Sequence, residues 1–173
     1  TRTELPIASK TSMEMALRRI GQQMNKESDV LFLYMTSHGL PNVFEMENAP
    51  LDLAQADPKW LRETLDAAGI RWRVIVISSC YSGSFVPALQ DENTLIITAS
   101  AADRQSFGCS SETDYTYFGR AFFDQAMREQ TSIQSAFAQS KDTVAQWESA
   151  QGFEPSEPQW SIGKNMALML PQL

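Results

Sequence analysis

The chain has few of the residues from which metal sites and disulfide frameworks are built. Its 173 residues include two cysteines, Cys80 and Cys109, and one histidine, His38. Two cysteines cannot form a disulfide framework, so the fold must rest on its hydrophobic core. A structural zinc site needs about four Cys or His ligands, and these three residues are poorly spaced for one. The sequence therefore predicts no metal site.

Positive charge and long apolar runs are also scarce. The 21 acidic and 14 basic side chains give a net charge of −7, and lysine and arginine form no cluster. This composition argues against a nucleic-acid partner. No apolar run approaches the roughly 20 residues that a membrane-spanning helix needs, and the polar start lacks the apolar core of a signal peptide. No membrane segment is predicted in this chain, and its compartment stays open.

Apolar runs alternate with helical patterns along the chain. Residues 74–77 are four β-branched residues in a row, which is typical of a strand that is covered on both faces. Capping-box spacing begins at Thr11 and at Thr131. Strands are predicted at 29–35, 73–79, 94–99 and 159–170. Helices are predicted at 11–26, 57–69, 83–90, 115–129 and 131–149, and a long loop at 100–114. The alternation predicts one α/β domain over 1–173 with a mostly parallel sheet.

His38 and Cys80 each come just after a predicted strand. The carboxyl ends of parallel strands lie along one edge of a sheet, and ligands bind at that edge in open α/β folds. A cysteine in this place is either a small residue that packs in the core or a nucleophile. A nucleophilic cysteine needs a base, and His38 is the one imidazole in the chain.

The order of the two residues discriminates between classes of enzyme. In α/β-hydrolases the nucleophile precedes the histidine, and papain-like enzymes also place Cys before His. Thiol phosphatases carry an arginine a few residues after the cysteine, and residues 80–87 contain none. Histidine first and cysteine later, each after a parallel strand, is the arrangement of the caspase-like proteases.

Several short blocks of sequence resemble the legumain family of cysteine peptidases, and their residues are most similar to those of its bacterial members. Residues 34–39, YMTSHG, and 78–83, SSCYSG, resemble the His-Gly and Cys-x-Ser-Gly blocks of the family. Residues 98–109, TASAADRQSFGC, and then 114–117, DYTY, resemble the strand and loop that shape its specificity pocket. The resemblance implies an α/β fold: a caspase-like three-layer sandwich, with a mostly parallel sheet flanked by helices and lacking its first strand.

The resemblance also implies roles for individual residues. His38 would be the general base and acid, Cys80 the nucleophile, and the backbone N–H groups of Gly39 and Cys80 the oxyanion hole. Asp114 has the alternative of a helix N-cap, and Cys109 is expected to be a small buried residue. The implied substrate-binding residues are Ser78, Ser100, Ser106 and Asp114.

The chain also departs from the family. Residues 1–28 do not match its first strand and helix, which supply an asparagine and a pocket arginine. Ser37 and Ser78 stand where relatives often carry acidic residues. A strand-and-crossover unit of roughly 30 residues is therefore expected upstream. Without it the sheet would have an exposed edge, and homo-oligomers would be expected because such edges pair with other chains.

These observations favour a cysteine endopeptidase that hydrolyses peptide or protein substrates through a thioester acyl-enzyme. No metal or organic cofactor is expected. A transamidase is an alternative within this chemistry, because an amine can capture the same acyl-enzyme. The non-enzymatic alternative is an inactive or truncated caspase-like scaffold that binds protein partners, which the departures from the family favour.

Overall fold

The structure is a computed structural model that describes residues 6–108 and 115–172. Its main sheet has the spatial order β1-β4-β5-β6, and β2 and β3 form a separate hairpin. β1, β4 and β5 are parallel, and β6 runs antiparallel to β5. The sheet is therefore mostly parallel, as predicted. The strands are β1 (Val30–Thr36), β2 (Gly39–Leu40), β3 (Val43–Phe44), β4 (Trp72–Ser78), β5 (Thr94–Thr98) and β6 (Gln159–Ile162).

Helices cover both faces of this sheet. A 3-10 turn, Ser82–Phe85, leads into the third α-helix, and a π-helical segment, Arg120–Ala126, joins the fourth α-helix to the fifth. Within the described residues, no helix is long and apolar enough to cross a membrane. The α-helices are α1 (Lys10–Gln23), α2 (Pro58–Ala67), α3 (Val86–Leu89), α4 (Tyr117–Gly119), α5 (Met127–Glu129), α6 (Ile133–Gln151) and α7 (Lys164–Met169).

The sheet separates two hydrophobic cores, which makes the architecture three-layered. Successive residues of β4 point to opposite faces, because side chains alternate along a strand. Ile75 and Ile77 join the core formed with α1, α2 and α3, whereas Val74 and Val76 join the core formed with α4 and α6. Every residue of β4 and β5 is buried. This two-sided burial explains why both strands appear in the sequence as continuous apolar runs.

The amino end of β4 is held by a cluster of charged side chains. The guanidinium of the buried Arg73 lies 2.7 Å from a carboxylate oxygen of Asp66 and 3.8 Å from one of Asp91. Burial opposes ionisation of Asp66, but hydrogen bonds from Arg62 and Arg73 outweigh that effect and lower the pKa of Asp66. The cluster lies at the end of β4 away from Cys80, so it supports the strand and takes no part in the site.

Two predicted helix starts are wrong by one or two residues. Ser9, and not Thr11, caps α1, since its hydroxyl accepts a backbone N–H three residues on at 3.2 Å. Ser132, and not Thr131, caps α6 in the same way at 3.1 Å. A capping residue is the last one with an extended backbone before the helix. Where several hydroxyl residues lie close together, spacing alone does not reveal which one that is.

The described sheet departs from the prediction at its β6 edge. The strand predicted at 159–170 is only four residues long, and α7 follows it, because Met166 and its neighbours pack as a helix on the core. At the other edge lies β1, where Phe32 and Tyr34 are 47% and 40% exposed. The upstream strand, the single domain over 1–173 and self-association stay predictions.

Candidate active site

The loops that carry His38 and Cys80 leave the sheet at the same edge. Thr36 and Ser78 are the last paired residues of β1 and β4. Beyond them, the Ser37 N–H donates to the Ser78 carbonyl at 3.3 Å. His38 and Cys80 each lie two residues beyond the Thr36–Ser78 pair. Parallel pairing therefore carries both residues to the carboxyl end of the sheet.

Gly39 brings the histidine loop into contact with the cysteine turn. A Cβ atom built on Gly39 would lie 2.5 Å from the carbonyl oxygen of Cys80 and 2.9 Å from the hydroxyl oxygen of Ser79. These distances are shorter than ordinary contacts, so any larger residue would push the two loops apart. A second link is the Asn42 N–H, which donates to the hydroxyl of Ser84 at 2.9 Å. The β2–β3 hairpin is thus seated on the cysteine turn.

The backbone N–H of Gly39 points away from the hairpin. Leu40 pairs with Val43 across the two-residue turn, and Gly39 pairs with Phe44. Antiparallel pairs alternate between hydrogen-bonded and non-hydrogen-bonded types, so Gly39 and Phe44 form a non-hydrogen-bonded pair. The peptide groups of Phe44 bond Ala56 on the other side, at 2.8 and 3.1 Å. The amide of Gly39 therefore faces out of the hairpin.

Cys80 lies half-buried in a tight turn after β4. The next residue, Tyr81, has φ 57° and ψ 19°, in the left-handed region that residues with a Cβ atom avoid. The Tyr81 N–H donates to the carbonyl of Arg104 at 2.7 Å, which ties the turn to the loop after β5. The N–H groups of Cys80 and Gly39 have no hydrogen-bond acceptor within the described part of the chain.

The thiol of Cys80 contacts the loop that follows β5. Its Sγ atom accepts from the backbone N–H of Ser106 and donates to the carbonyl of the same residue, each at 3.3 Å. The side chain of Ser106 is buried, and its hydroxyl has no partner within the described residues. The thiol proton is therefore directed at the Ser106 carbonyl.

Residues 153–157, which follow α6, contact this loop and support it. The Arg104 guanidinium lies 3.5 Å from the carboxylate of Glu154 and 3.9 Å from that of Glu157. The ring of Phe107 stacks on that of Phe153 with centroids 4.4 Å apart. No motif in the sequence points to these residues. An opposite charge and a second aromatic ring about 50 positions away carry no local signal, and only the fold brings them together.

The remaining predicted residues fall in different places. Ser78 is fully buried, and its hydroxyl oxygen lies 2.9 Å from that of Thr116. Ser100 is also fully buried, and it bonds the turn around Cys80. Cys109 and Asp114 lie outside the described residues. The helix that follows, α4, begins at Tyr117, and Thr116 caps it.

The architecture places the protein in the class of caspase-like folds. It is similar to the crystal structure of caspase-1 from Spodoptera frugiperda with a TM-score of 0.64. The likeness covers 91% of this chain and 69% of that chain at 14% sequence identity. An identity this low supports the fold alone, and that fold agrees with the predicted three-layer sandwich.

The family follows from the sequence of almost the whole chain. The model of the peptidase C13 family matches residues 14–168. The chain therefore belongs to the peptidase C13 family, which is a class of cysteine-type peptidases.

Two plant relatives match part of the chain. It is 35% identical over 82 residues to a legumain of Canavalia ensiformis and 34% identical over 86 residues to a vacuolar-processing enzyme of Ricinus communis. These alignments cover 46% and 49% of this chain, and 17% of each relative. The expected likeness to bacterial members stays a prediction, since these relatives are plant proteins.

Proposed function

We propose that the chain is a cysteine endopeptidase in which His38 and Cys80 act together on peptide bonds. The observation that carries this proposal is the close contact between Gly39 and the backbone of Cys80. Through this contact the loop with the one histidine of the chain packs directly on the turn with the candidate nucleophile. His38 is exposed beside this contact and Cys80 is half-buried, so both can meet a substrate at the sheet edge.

The proposed reaction has two stages. His38 takes the proton of the Cys80 thiol, and the thiolate sulfur attacks the carbonyl carbon of the substrate peptide bond. The C–N bond then breaks as His38 returns the proton to the leaving amine, and a thioester remains. In the second stage His38 takes a proton from water, the resulting hydroxide attacks the thioester, and the carboxylic acid leaves. His38 returns its proton to the sulfur, and the enzyme is restored.

The oxyanion of each stage needs two donors that are not already engaged. We propose the backbone N–H groups of Gly39 and Cys80. Two observations support them: the Gly39 amide faces out of its hairpin, and neither amide has an acceptor within the described residues. The absence of a side chain at Gly39 also lets a substrate backbone come close.

A second candidate function is a non-catalytic scaffold that binds protein partners. The contact that favours it is the engagement of the Cys80 sulfur by both backbone groups of Ser106 in the free protein. In an enzyme, the thiol proton must leave the Ser106 carbonyl for His38 before the sulfur can attack. In a scaffold, this contact would simply persist.

A peptide that carries a thiol-reactive chloromethyl ketone separates the two functions. We expect it to label Cys80 at least about 100-fold faster than Cys109, because a positioned base raises reactivity by that order. Peptide mapping by mass spectrometry measures both sites in one sample. His38→Ala should bring Cys80 down to the rate of Cys109. Equal labelling of the two cysteines in the parent protein would favour the scaffold.

We also propose a preference for asparagine or a basic residue just before the scissile bond, with rejection of aspartate and glutamate. Asp114 and Ser106 would line the pocket, and the neutral Ser78 leaves a single carboxylate there, which can accept from an amide or pair with a cation. A fluorogenic peptide panel should show that Asp114→Asn costs about 10- to 100-fold on the preferred peptides. Best cleavage after aspartate, or an unchanged preference in the variant, would contradict this assignment.

A further inference from the structure

Two buried serines join the ends of β4 and β5 beside the candidate nucleophile. Ser82 and Ser100 each have 0% of their surface exposed. The Ser82 N–H donates to the hydroxyl oxygen of Ser100, and the Ser100 N–H donates to that of Ser82, both at 3.1 Å. The two hydroxyl oxygens are 3.2 Å apart. Neither hydroxyl is open to solvent, so neither is available to a ligand.

The single proton on each hydroxyl fixes the direction of these bonds. The Ser100 hydroxyl donates to the carbonyl of Ser79 at 3.2 Å. Its only proton is used there, so the Ser82 hydroxyl must donate in the bond between the two oxygens. The Ser100 oxygen then accepts from both the hydroxyl and the backbone N–H of Ser82. Its bonding capacity is thus met entirely inside the protein.

These bonds bridge the turn that carries Cys80. In an ordinary β-turn the carbonyl of the first residue accepts directly from the N–H of the fourth. In the turn from Ser79 to Ser82 the Ser100 hydroxyl stands between those two groups, donating to the first and accepting from the second. The central residues are Cys80 and Tyr81, and Tyr81 has the left-handed φ that a residue with a Cβ atom avoids.

We propose that Ser82 and Ser100 are positioning residues that set the direction of the thiol and the N–H of Cys80. The bridge keeps the Ser79 carbonyl and the Ser82 N–H from closing into a direct hydrogen bond. It also leaves the Cys80 N–H free for an oxyanion. This inference rests on the proposed function, because reaction rates depend steeply on the placement of a nucleophile. It gives Ser100 a role inside the protein and not the substrate-binding role that the resemblance implies.

The test replaces Ser100 with alanine and uses Ser140→Ala as the matched control. Ser140 is equally buried, and its hydroxyl donates to the carbonyl of Ala136 within α6 at 2.6 Å. Without its hydroxyl, Ser100 would leave the Ser79 carbonyl and the Ser82 N–H unpaired. We expect Ser100→Ala to lower kcat about 10- to 100-fold with KM nearly unchanged, and Ser140→Ala to leave both unchanged.

Alkylation of Cys80 by iodoacetamide tests the same inference without peptide hydrolysis. At a pH above the ordinary thiol pKa of about 8.5, the alkylation rate of Cys80 in Ser100→Ala should differ severalfold from that in the parent protein. The reason is that the sulfur is no longer held against Ser106. Ser82→Ala removes one bond of the bridge and should change both readouts in the same direction but less. It also serves if Ser100→Ala does not fold.

The outcomes separate this inference from the proposed function. If the parent protein neither cleaves peptides nor reacts selectively at Cys80, the proposed function fails, and the alkylation comparison still tests the bridge. If Ser100→Ala and Ser82→Ala both alkylate at the parental rate and lose stability only as much as Ser140→Ala, the serines are ordinary structural residues and the inference is overturned.

Discussion

Replacing Cys80 with alanine should abolish peptide hydrolysis while the protein stays folded. The variant loses the sulfur that forms the thioester, and the residues that the structure describes hold no second thiol. We expect kcat/KM to fall on the order of 10⁴-fold or more, as for nucleophiles in other hydrolases. Initial rates on a fluorogenic peptide measure the loss, and thermal unfolding should stay close to that of the parent, because Cys80 is only half-buried.

His38→Ala should cost nearly as much, and the double variant little more. Residues that act as one unit lose their effect together, so their losses do not multiply. Cys109→Ala is the control and should retain hydrolysis, because no second histidine exists to activate that thiol. A Cys80→Ala protein that cleaves at the parental rate would show that the proposed mechanism is wrong.

Outside the His38–Cys80 pair, Gly39→Ala should produce the largest loss of activity. The added carbon would lie 2.5 Å from the Cys80 carbonyl oxygen, which belongs to the backbone and cannot swing aside as a flexible side chain can. The histidine loop must then lift off the cysteine turn, and the Gly39 amide moves with it. Removing one oxyanion donor costs about 10²- to 10³-fold in kcat, and we expect a loss of that order with a smaller change in KM.

Gly69→Ala provides a matched glycine away from the site. Gly69 follows α2 near the amino end of β4, and an added Cβ would meet only the flexible end of the Lys26 side chain. Its φ of +70° makes alanine unfavourable by about 1–2 kcal/mol, so this variant loses stability but keeps its kcat. If Gly39→Ala retained parental kcat, the close approach of the two loops would not matter for catalysis.

Local patterns in the sequence are sufficient to predict the buried strands of the parallel sheet and the start of α2. Residues 74–77 were identified as a strand covered on both faces, and β4 is buried along its whole length. Asp57 and Pro58 mark the start of α2, where Asp57 accepts from the Trp60 N–H. Such features depend on residues a few positions apart, so the chain itself carries the information.

Hydroxyl residues were harder to interpret, because several of them could serve the same purpose. Capping-box spacing favours Thr11 and Thr131 as the first residues of two helices, whereas Ser9 and Ser132 have the extended backbone that an N-cap requires. Ser100 was expected at a substrate pocket on the basis of resemblance, whereas the structure buries it. A serine in a loop can face solvent or the interior, and its sequence neighbourhood is much the same in both cases.

The amino-acid sequence is enough to identify the groups that carry the proposed chemistry and to place them after parallel strands. The order of His38 before Cys80, each after a buried run, was sufficient for that. The folded chain adds how closely the two loops meet, where the Gly39 N–H points, and which hydroxyl bridges the turn at Cys80. Those facts depend on the register of β1 against β4 and of β4 against β5. β4 and β5 are buried on both faces, so their apolar pattern is continuous and does not single out one register. Packing between segments far apart in the chain has to select it.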